Sequence, residues 1–551
     1  MSQTFQAHLL GNRYLQATAL LVVAVATLAA AVHYPASLPP LLLNGILAGL
    51  LVRSVLNNRS SFFSFFLLSF LILGCWAKLV LHFILDTQFI EPIGSFNDSP
   101  QAWDSAMLAL NIAFATLLVC QTIVERLPPI ATIHIDRPRS LLKPCLWLAI
   151  LLTALLLALN FKFAFLKVGT EPTLRLPSIV YVLVSFMIAW GNLILLATLG
   201  YWLVQVRQMK LETLFYILIL EGAVTAVSMG SRAQMILHVA APFVVYLVHS
   251  RELVTRLRVA QWARILLVTA ALFVASLLLV SADRLQSFAQ ARPIVAPAAA
   301  SIELRLGENE RLVSSIGLPL TNLVIAPADA AEGVSAVLTP ALPLLRVAAE
   351  ALPLSVTGPH ENAEIKRARW RGMLFELSKL VVDRWVGLEG VLAVVSHEDT
   401  GWSLFIRSLV ERPESGTEAI YQRMSNAQYQ AFENFTFMTI PGPLAILLYS
   451  GNLAMLAGGL ALLFLAGTLA ERLASHLVGN IFTRATIGVA LAYLVVQTNF
   501  PRVQMFFLIE LLGFIVGLYL TRMIVTAPRT SQTVLTPAIG GVPRSGGQIR
   551  S

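Results

Sequence analysis

Residues 263–301 read ARILLVTAALFVASLLLVSADRLQSFAQARPIVAPAAAS, and the change of character at residue 283 decides how the chain is organised. Up to Ala282 the segment is an apolar run of spanning length, because a helix needs about 20 apolar residues to cross the hydrocarbon. From Asp283 onward it becomes charged, and an Ala/Pro-rich linker follows at 291–301. Working outward from this boundary, apolar runs recur at 14–32, 38–56, 62–85, 104–124, 143–161, 176–204, 211–228, 233–249 and 263–282. After a charged stretch at 283–435 the series resumes at 444–470, 483–498 and 504–524.

Composition fixes the class. With 57% hydrophobic and only 13% charged residues over 551 positions, and a mean hydropathy of +0.75, the chain lacks the polar surface that several soluble cores would need. The expected fold is an all-α polytopic membrane protein with about twelve transmembrane helices and one large, mostly helical periplasmic loop. Its parts are a bundle of nine spans over 1–282, the loop over 283–435, membrane re-entry and three spans over 436–525, and a disordered cytoplasmic tail over 526–551. The tail is Gly-, Pro- and Ser-rich without periodicity. The first apolar run is spanning length and lacks a small-residue cleavage site, so no cleavable signal is expected.

Charge orients the bundle. Alternate connections hold Arg53 and Arg59; Arg126, Arg137, Arg139 and Lys143; Arg207 and Lys210; Arg251, Arg256, Arg258 and Arg264; Arg472 and Arg484; and the tail from Arg522. The other set is poor in Lys and Arg, Lys162, Lys167 and Arg175 being its partial exception. By the positive-inside rule the first set is cytoplasmic, both termini are inside and the long loop is outside. The loop carries 14 Lys/Arg against 18 Asp/Glu, although the whole chain is +9. The basic balance is therefore topological and implies no nucleic-acid partner.

Inside the loop, residues 361–382 (ENAEIKRARWRGMLFELSKLVV) read as a helix with a basic first half that includes Arg367, Arg369 and Arg371. The stretch DRWVGLEGVLAVVSHEDTGW at 383–402 then gathers Arg384, Trp385, Glu389 and His397. Trp stacks on sugar faces, Arg grips phosphate, and the adjacent Gly387 and Gly390 allow close backbone approach. Thr400 is a candidate cap for a helix reaching about Arg412, and a polar helix at 415–432 carries Tyr421 and Arg423. FTFMTIPGPLAILLYSGN at 435–452 returns to the membrane through a Pro-Gly-Pro break. Such a break is tolerated only where it is buried in protein or lines a cavity.

Four ionisable groups lie within spans: Lys78, Glu221, His238 and Glu510. Each is expensive there and so is a functional candidate. With Arg232, in MGSRAQ at the outer mouth, Lys78, Glu221 and Glu510 are expected to line one polar pocket beneath the loop. The bland reading is Lys–Glu pairing between helices, and for His238 an ordinary hydrogen bond to a neighbour.

A Walker-type loop, HExxH and Cys/His metal spacing are all missing. The three cysteines, Cys75, Cys120 and Cys145, sit in or beside apolar runs, which excludes a disulfide framework in the loop. The first outward connection, HYPAS, has no carboxylate to hold a metal. What remains is outward arginines near isolated carboxylates and one His. Arginines neutralise a diphosphate leaving group without a metal, and one carboxylate or His suffices to take a hydroxyl proton.

GSR at 230–232, DRWVGLEG at 383–390 and PGPLAILLYSGN at 441–452 together look like bacterial O-antigen or oligosaccharide repeat-unit polymerases of the Wzy type. The architecture is also similar to that of the O-antigen ligases. Some polymerases carry an Arg, ten residues and a Gly in their outer loops; no Arg of the long loop at 283–435 has that spacing, so their catalytic assignment is not carried over. The resemblance implies an inner-membrane glycosyltransferase acting on undecaprenyl diphosphate-linked oligosaccharide without a cofactor or metal. It implies membrane lipid, a flippase and a chain-length regulator as partners. The residues assigned to catalysis are Arg232, Arg384, Glu389 and His397. Those assigned to substrate binding are Lys78, Glu221, Arg367, Arg369, Arg371, Trp385, Tyr421, Arg423 and Glu510. Alternatives that stay open are a ligase of the same architecture, a flippase or secondary transporter, and a membrane scaffold.

Overall fold

The computed structural model describes residues 13–57, 60–86, 89, 91–128, 141–168, 172–174, 176–249, 253, 255, 257–290, 385–412, 419–427 and 440–526. Every regular element among them is helical. In chain order these are α1 (Arg13–Ala31), α2 (Leu38–Asn57), α3 (Phe62–Leu85), α4 (Pro100–Glu125), α5 (Leu142–Phe163), α6 (Ser178–Gln205), α7 (Leu211–Ser228), α8 (Arg232–His249) and α9 (Val259–Gln290). Beyond the long loop come α10 (Leu388–Val395), α11 (Trp402–Val410), α12 (Ile420–Met424), α13 (Gly442–Leu448), α14 (Leu453–Val478), α15 (Ile481–Val496) and α16 (Pro501–Thr526). Ten helices are long and apolar enough to cross a membrane, and α8 and α15 supply two shorter apolar helices, Ala233–His249 and Ile481–Val496. The chain is a polytopic all-α membrane protein.

Sequence chemistry sets the ends of these helices. The Ser61 hydroxyl accepts from the Ser64 amide to cap α3, and Ser99 caps α4 with Pro100 in the first turn, where the missing N–H costs nothing. Asn480 takes the amides of Phe482 and Thr483 at the start of α15. Gly479, in the left-handed conformation, ends α14 just before it.

Contacts between connections sort the helix ends into two faces. On one, Ser54 bonds Glu125, Arg264 pairs with Glu212, Arg472 reaches the Pro128 carbonyl and Arg522 the Leu477 carbonyl. On the other, Ser37 bonds Asp104, the Val168 amide donates to Met229, Lys167 pairs with Asp283, and Ser95 bonds the Ser396 carbonyl. The described loop residues 385–412 and 419–427 belong to this second face, where the Gly94 amide also donates to Ser425.

Several local expectations change. The run 444–470 is two elements: α13, of seven residues, turns back through Tyr449–Asn452 before α14 begins. Seven residues span only about 10 Å, so α13 dips into the bundle as the Pro-Gly-Pro break implied. Gly401, not Thr400, precedes α11, and no side chain caps it. Of the polar helix expected at 415–432, the described residues 419–427 hold α12, five residues long; 415–418 and 428–432 lie outside the described residues. The basic helix 361–382 and the tail beyond Thr526 also lie outside them.

Candidate functional site

Two helices contain a π-helical turn, Ile72–Ala77 in α3 and Met187–Gly191 in α6. Such turns are rare and gather at functional sites. Here each adjoins a buried ionisable pair.

The first pair lies against α3. Lys78 follows the π turn directly, seven residues from the loop-face end of the helix, or about 10 Å in. The loop comes back to meet it. Trp385–Gly387 runs along the π turn, and α10 then packs against α13, α4 and the turn itself. Two glycines permit this approach. A Cβ on Gly74 would lie 2.0 Å from the Val386 carbonyl oxygen, and Gly387, at φ +151°, would set a Cβ 2.7 Å from Cys75 Sγ. Lys78 Nζ donates to the Trp385 carbonyl at 2.9 Å and forms an ion pair with Glu389 Oε1. Both side chains are buried, at 5% and 4% exposure. Glu389 sits in the first turn of α10, where the helix dipole also favours a carboxylate. Its second oxygen, Oε2, makes no hydrogen bond among the described residues.

The second pair is Glu221 of α7 with His238 of α8, Oε2 to Nδ1 at 2.8 Å. The Thr225 hydroxyl donates to Glu221 Oε1 at 3.0 Å. His238 Nε2 lies 2.7 Å from Gln234 Nε2, which also donates to the Ala189 carbonyl in the π turn of α6 at 2.7 Å. Nδ1–H donates to Glu221, while Nε2 faces both the Gln234 amide and the Ala189 carbonyl, the latter at 2.9 Å. Trp190 packs over the imidazole at 5.2 Å. His238 therefore has the neighbour expected of a structural histidine, and that neighbour is one of the candidate carboxylates.

The single pocket lined by Lys78, Glu221 and Glu510 is thus replaced by two separate pairs that share no hydrogen bond. The helix α15 packs against both α3 and α8 and lies between them. Glu510 is on α16, half-buried, on the face that carries Phe507 and Phe514 against Phe186. His397 sits in a turn after α10, its Nδ1 accepting from the Asp399 amide at 3.1 Å. Accepting there leaves the neutral ring's proton on Nε2, so in this geometry His397 presents a donor. Tyr421 is buried in α12 and Arg423 is exposed on it. Arg232 opens α8, its side chain outside the described residues; Arg367, Arg369, Arg371 and Arg384 lie wholly outside them.

Arg484, counted among the cytoplasmic connection charges by sequence alone, belongs to a third buried pair. Arg484 is inside α15, where its Nε donates to Glu471 Oε1 of α14 at 2.6 Å and its Nη2 to the Ser60 carbonyl. Glu471, fully buried, also accepts from the Ser61 hydroxyl and from the amides of Phe62 and Phe63 at 3.0 and 2.8 Å. It caps the N-terminus of α3 from another helix, on the face opposite the loop. The available signal was Glu471 just past one apolar run and Arg484 early in the next.

Comparison with family models, with curated proteins and with solved structures finds no match for this chain.

Proposed function

We propose that the protein is a glycosyltransferase of the bacterial inner membrane that polymerises undecaprenyl diphosphate-linked oligosaccharide repeat units at the periplasmic face. In this reading twelve helices cross, both termini are cytoplasmic, and residues 283–435 are outside. The observation that carries it is the return of Trp385–Val395 from the long inter-span stretch to Lys78, which sets the Glu389 carboxylate against a lysine about 10 Å in from the loop face. The Lys/Arg asymmetry of the connections and the short motifs at 230–232, 383–390 and 441–452 support the same assignment.

The acceptor sugar hydroxyl attacks the anomeric carbon of the donor, the bond to the lipid diphosphate breaks, and the diphosphate departs. Glu389 Oε2 takes the hydroxyl proton while Lys78 holds Oε1. Arg232 and Arg384 neutralise the departing diphosphate, a task suited to bidentate guanidinium groups, and Trp385 offers a face to a sugar ring.

The test is the surface glycan of a strain lacking the protein. Single repeat units on the acceptor lipid are expected. Full-length polymer stranded on the carrier would assign the protein as a ligase, and an unchanged glycan ladder would refute both. Purified protein with lipid-linked repeat unit should extend it in excess EDTA, and Arg232→Ala or Arg384→Ala should abolish extension without preventing membrane insertion.

A further inference from the structure

The helix α11 has three distinct sectors that no part of the proposed reaction uses. At 100° per residue, Leu404, Phe405 and Ser408 fall on one side, where Phe405 and Ser408 are buried against the protein. Trp402, Ile406, Leu409 and Val410 occupy the opposite arc and are exposed, Trp402 and Val410 at 61% each. Ser403 and Arg407 form an exposed polar edge beside that arc, and Arg412 is exposed just beyond the helix.

Its position in the fold supplies an occupant for the apolar arc. The Gly401 amide donates to the Tyr449 carbonyl at 2.8 Å, which fixes the start of α11 to the turn between α13 and α14. The helix then packs against α13 and α16. The near end of α16 exposes Val503, Met505, Phe506 and Ile509, the outward surface of a helix long and apolar enough to span. The apolar arc of α11 therefore continues a surface that faces hydrocarbon. A short helix with Trp and branched aliphatics on one arc and arginine on its edge has the pattern of a segment lying in the membrane interface, where the indole of Trp is favoured.

We propose that α11 is an interfacial anchor: its Trp402–Ile406–Leu409–Val410 face is inserted among the lipids of the loop-face leaflet, with Arg407 and Arg412 at the headgroup phosphates. The occupant is the bilayer itself, and the anchor ties the last part of the long loop to the membrane beside α16. This inference stands whether or not the protein is a polymerase.

Site-directed spin labels at Ile406, Val410, Ser403 and Arg407, one at a time, test it in full-length protein reconstituted in phospholipid nanodiscs. A Cys145→Ser background removes the one half-buried thiol, since Cys75 and Cys120 are buried. Labels at 406 and 410 should collide several-fold more often with oxygen than with a water-soluble nickel chelate, and labels at 403 and 407 should show the reverse. Preferential collision with the nickel chelate at 406 and 410 would place the face in water and overturn the proposal. Protection from both reagents would mean that protein covers it, from this chain or a second copy, and would overturn it equally. As a check that needs no label, Trp402→Phe should reduce the fluorescence quenched by lipids brominated near the headgroup; unchanged quenching would contradict the anchor.

Discussion

Lys78→Met should destabilise the folded protein by about 3–5 kcal/mol, the usual loss when one member of a buried ion pair is removed and the other charge stays behind. The structure points to that range rather than to the roughly 0.6 kcal/mol average of hydrogen bonds between membrane helices. Lys78 and Glu389 are both almost completely buried, and the amine also satisfies the Trp385 carbonyl. Removing it strands a carboxylate and a backbone oxygen in a packed interface where glycines at 74 and 387 leave no room for added atoms. Adding Glu389→Met removes the stranded charge, so the double variant should regain about 2 kcal/mol of the loss, the carbonyl alone costing about 1–3 kcal/mol. The assay is SDS-induced unfolding in mixed micelles, followed by near-ultraviolet circular dichroism, for wild type, both single variants and the double. A cost below about 1 kcal/mol for Lys78→Met, or strictly additive single effects, would refute the buried pair as what holds the loop in the bundle. Activity separates the roles: the double variant should fold and remain inactive, because the proposed proton acceptor is gone.

Glu471→Ala should cost about 3–5 kcal/mol in the same unfolding assay, because Arg484 and the donors at the start of α3 all lose their acceptor; a loss under about 1 kcal/mol would contradict that network. Burial pushes the Glu411 carboxyl above its ordinary 4.5, although the Ile420 amide and Arg423 pull the other way. A raised acid stabilises the fold fully below its unfolded value and loses that stabilisation as pH rises through the folded one. Glu411→Gln should therefore gain thermal stability relative to wild type as pH climbs from about 4.5, and a difference independent of pH would refute the shift. For orientation, a Cys at Ser355 or Ser415 should react with an impermeant thiol reagent in intact spheroplasts, whereas one at Ser531 should not; labelling at 531 without permeabilisation would invert the topology.

Much of the helical framework was legible because crossing a membrane imposes a length and a polarity that a sequence displays directly. The run 62–85 became α3 with the same limits, and 211–228 became α7. The candidate site was only half legible. Lys78, Glu221, His238 and Glu389 stand out as charges or imidazole in apolar surroundings, but their partners do not. Lys78 pairs across 311 residues and Glu221 across 17. Nothing in a helical repeat distinguishes the carboxylate that will face a given amine. The π turns were equally hidden, since MIAWG and ILGCWA read as ordinary apolar helix.

The sequence by itself determined that the chain is a bundle of apolar helices, roughly where most of them lie, and that one long charged stretch divides them. These follow from transfer energies and caps, which act over a few residues. Only the tertiary structure decided that Trp385–Val395 lies inside the bundle rather than above it, that Lys78 meets Glu389 rather than Glu221, and that Arg484 belongs to a buried lock with Glu471. The reason is that a buried charge must find an opposite one wherever packing brings it. Packing depends on contacts such as Gly74 with Val386, which join residues far apart in the chain.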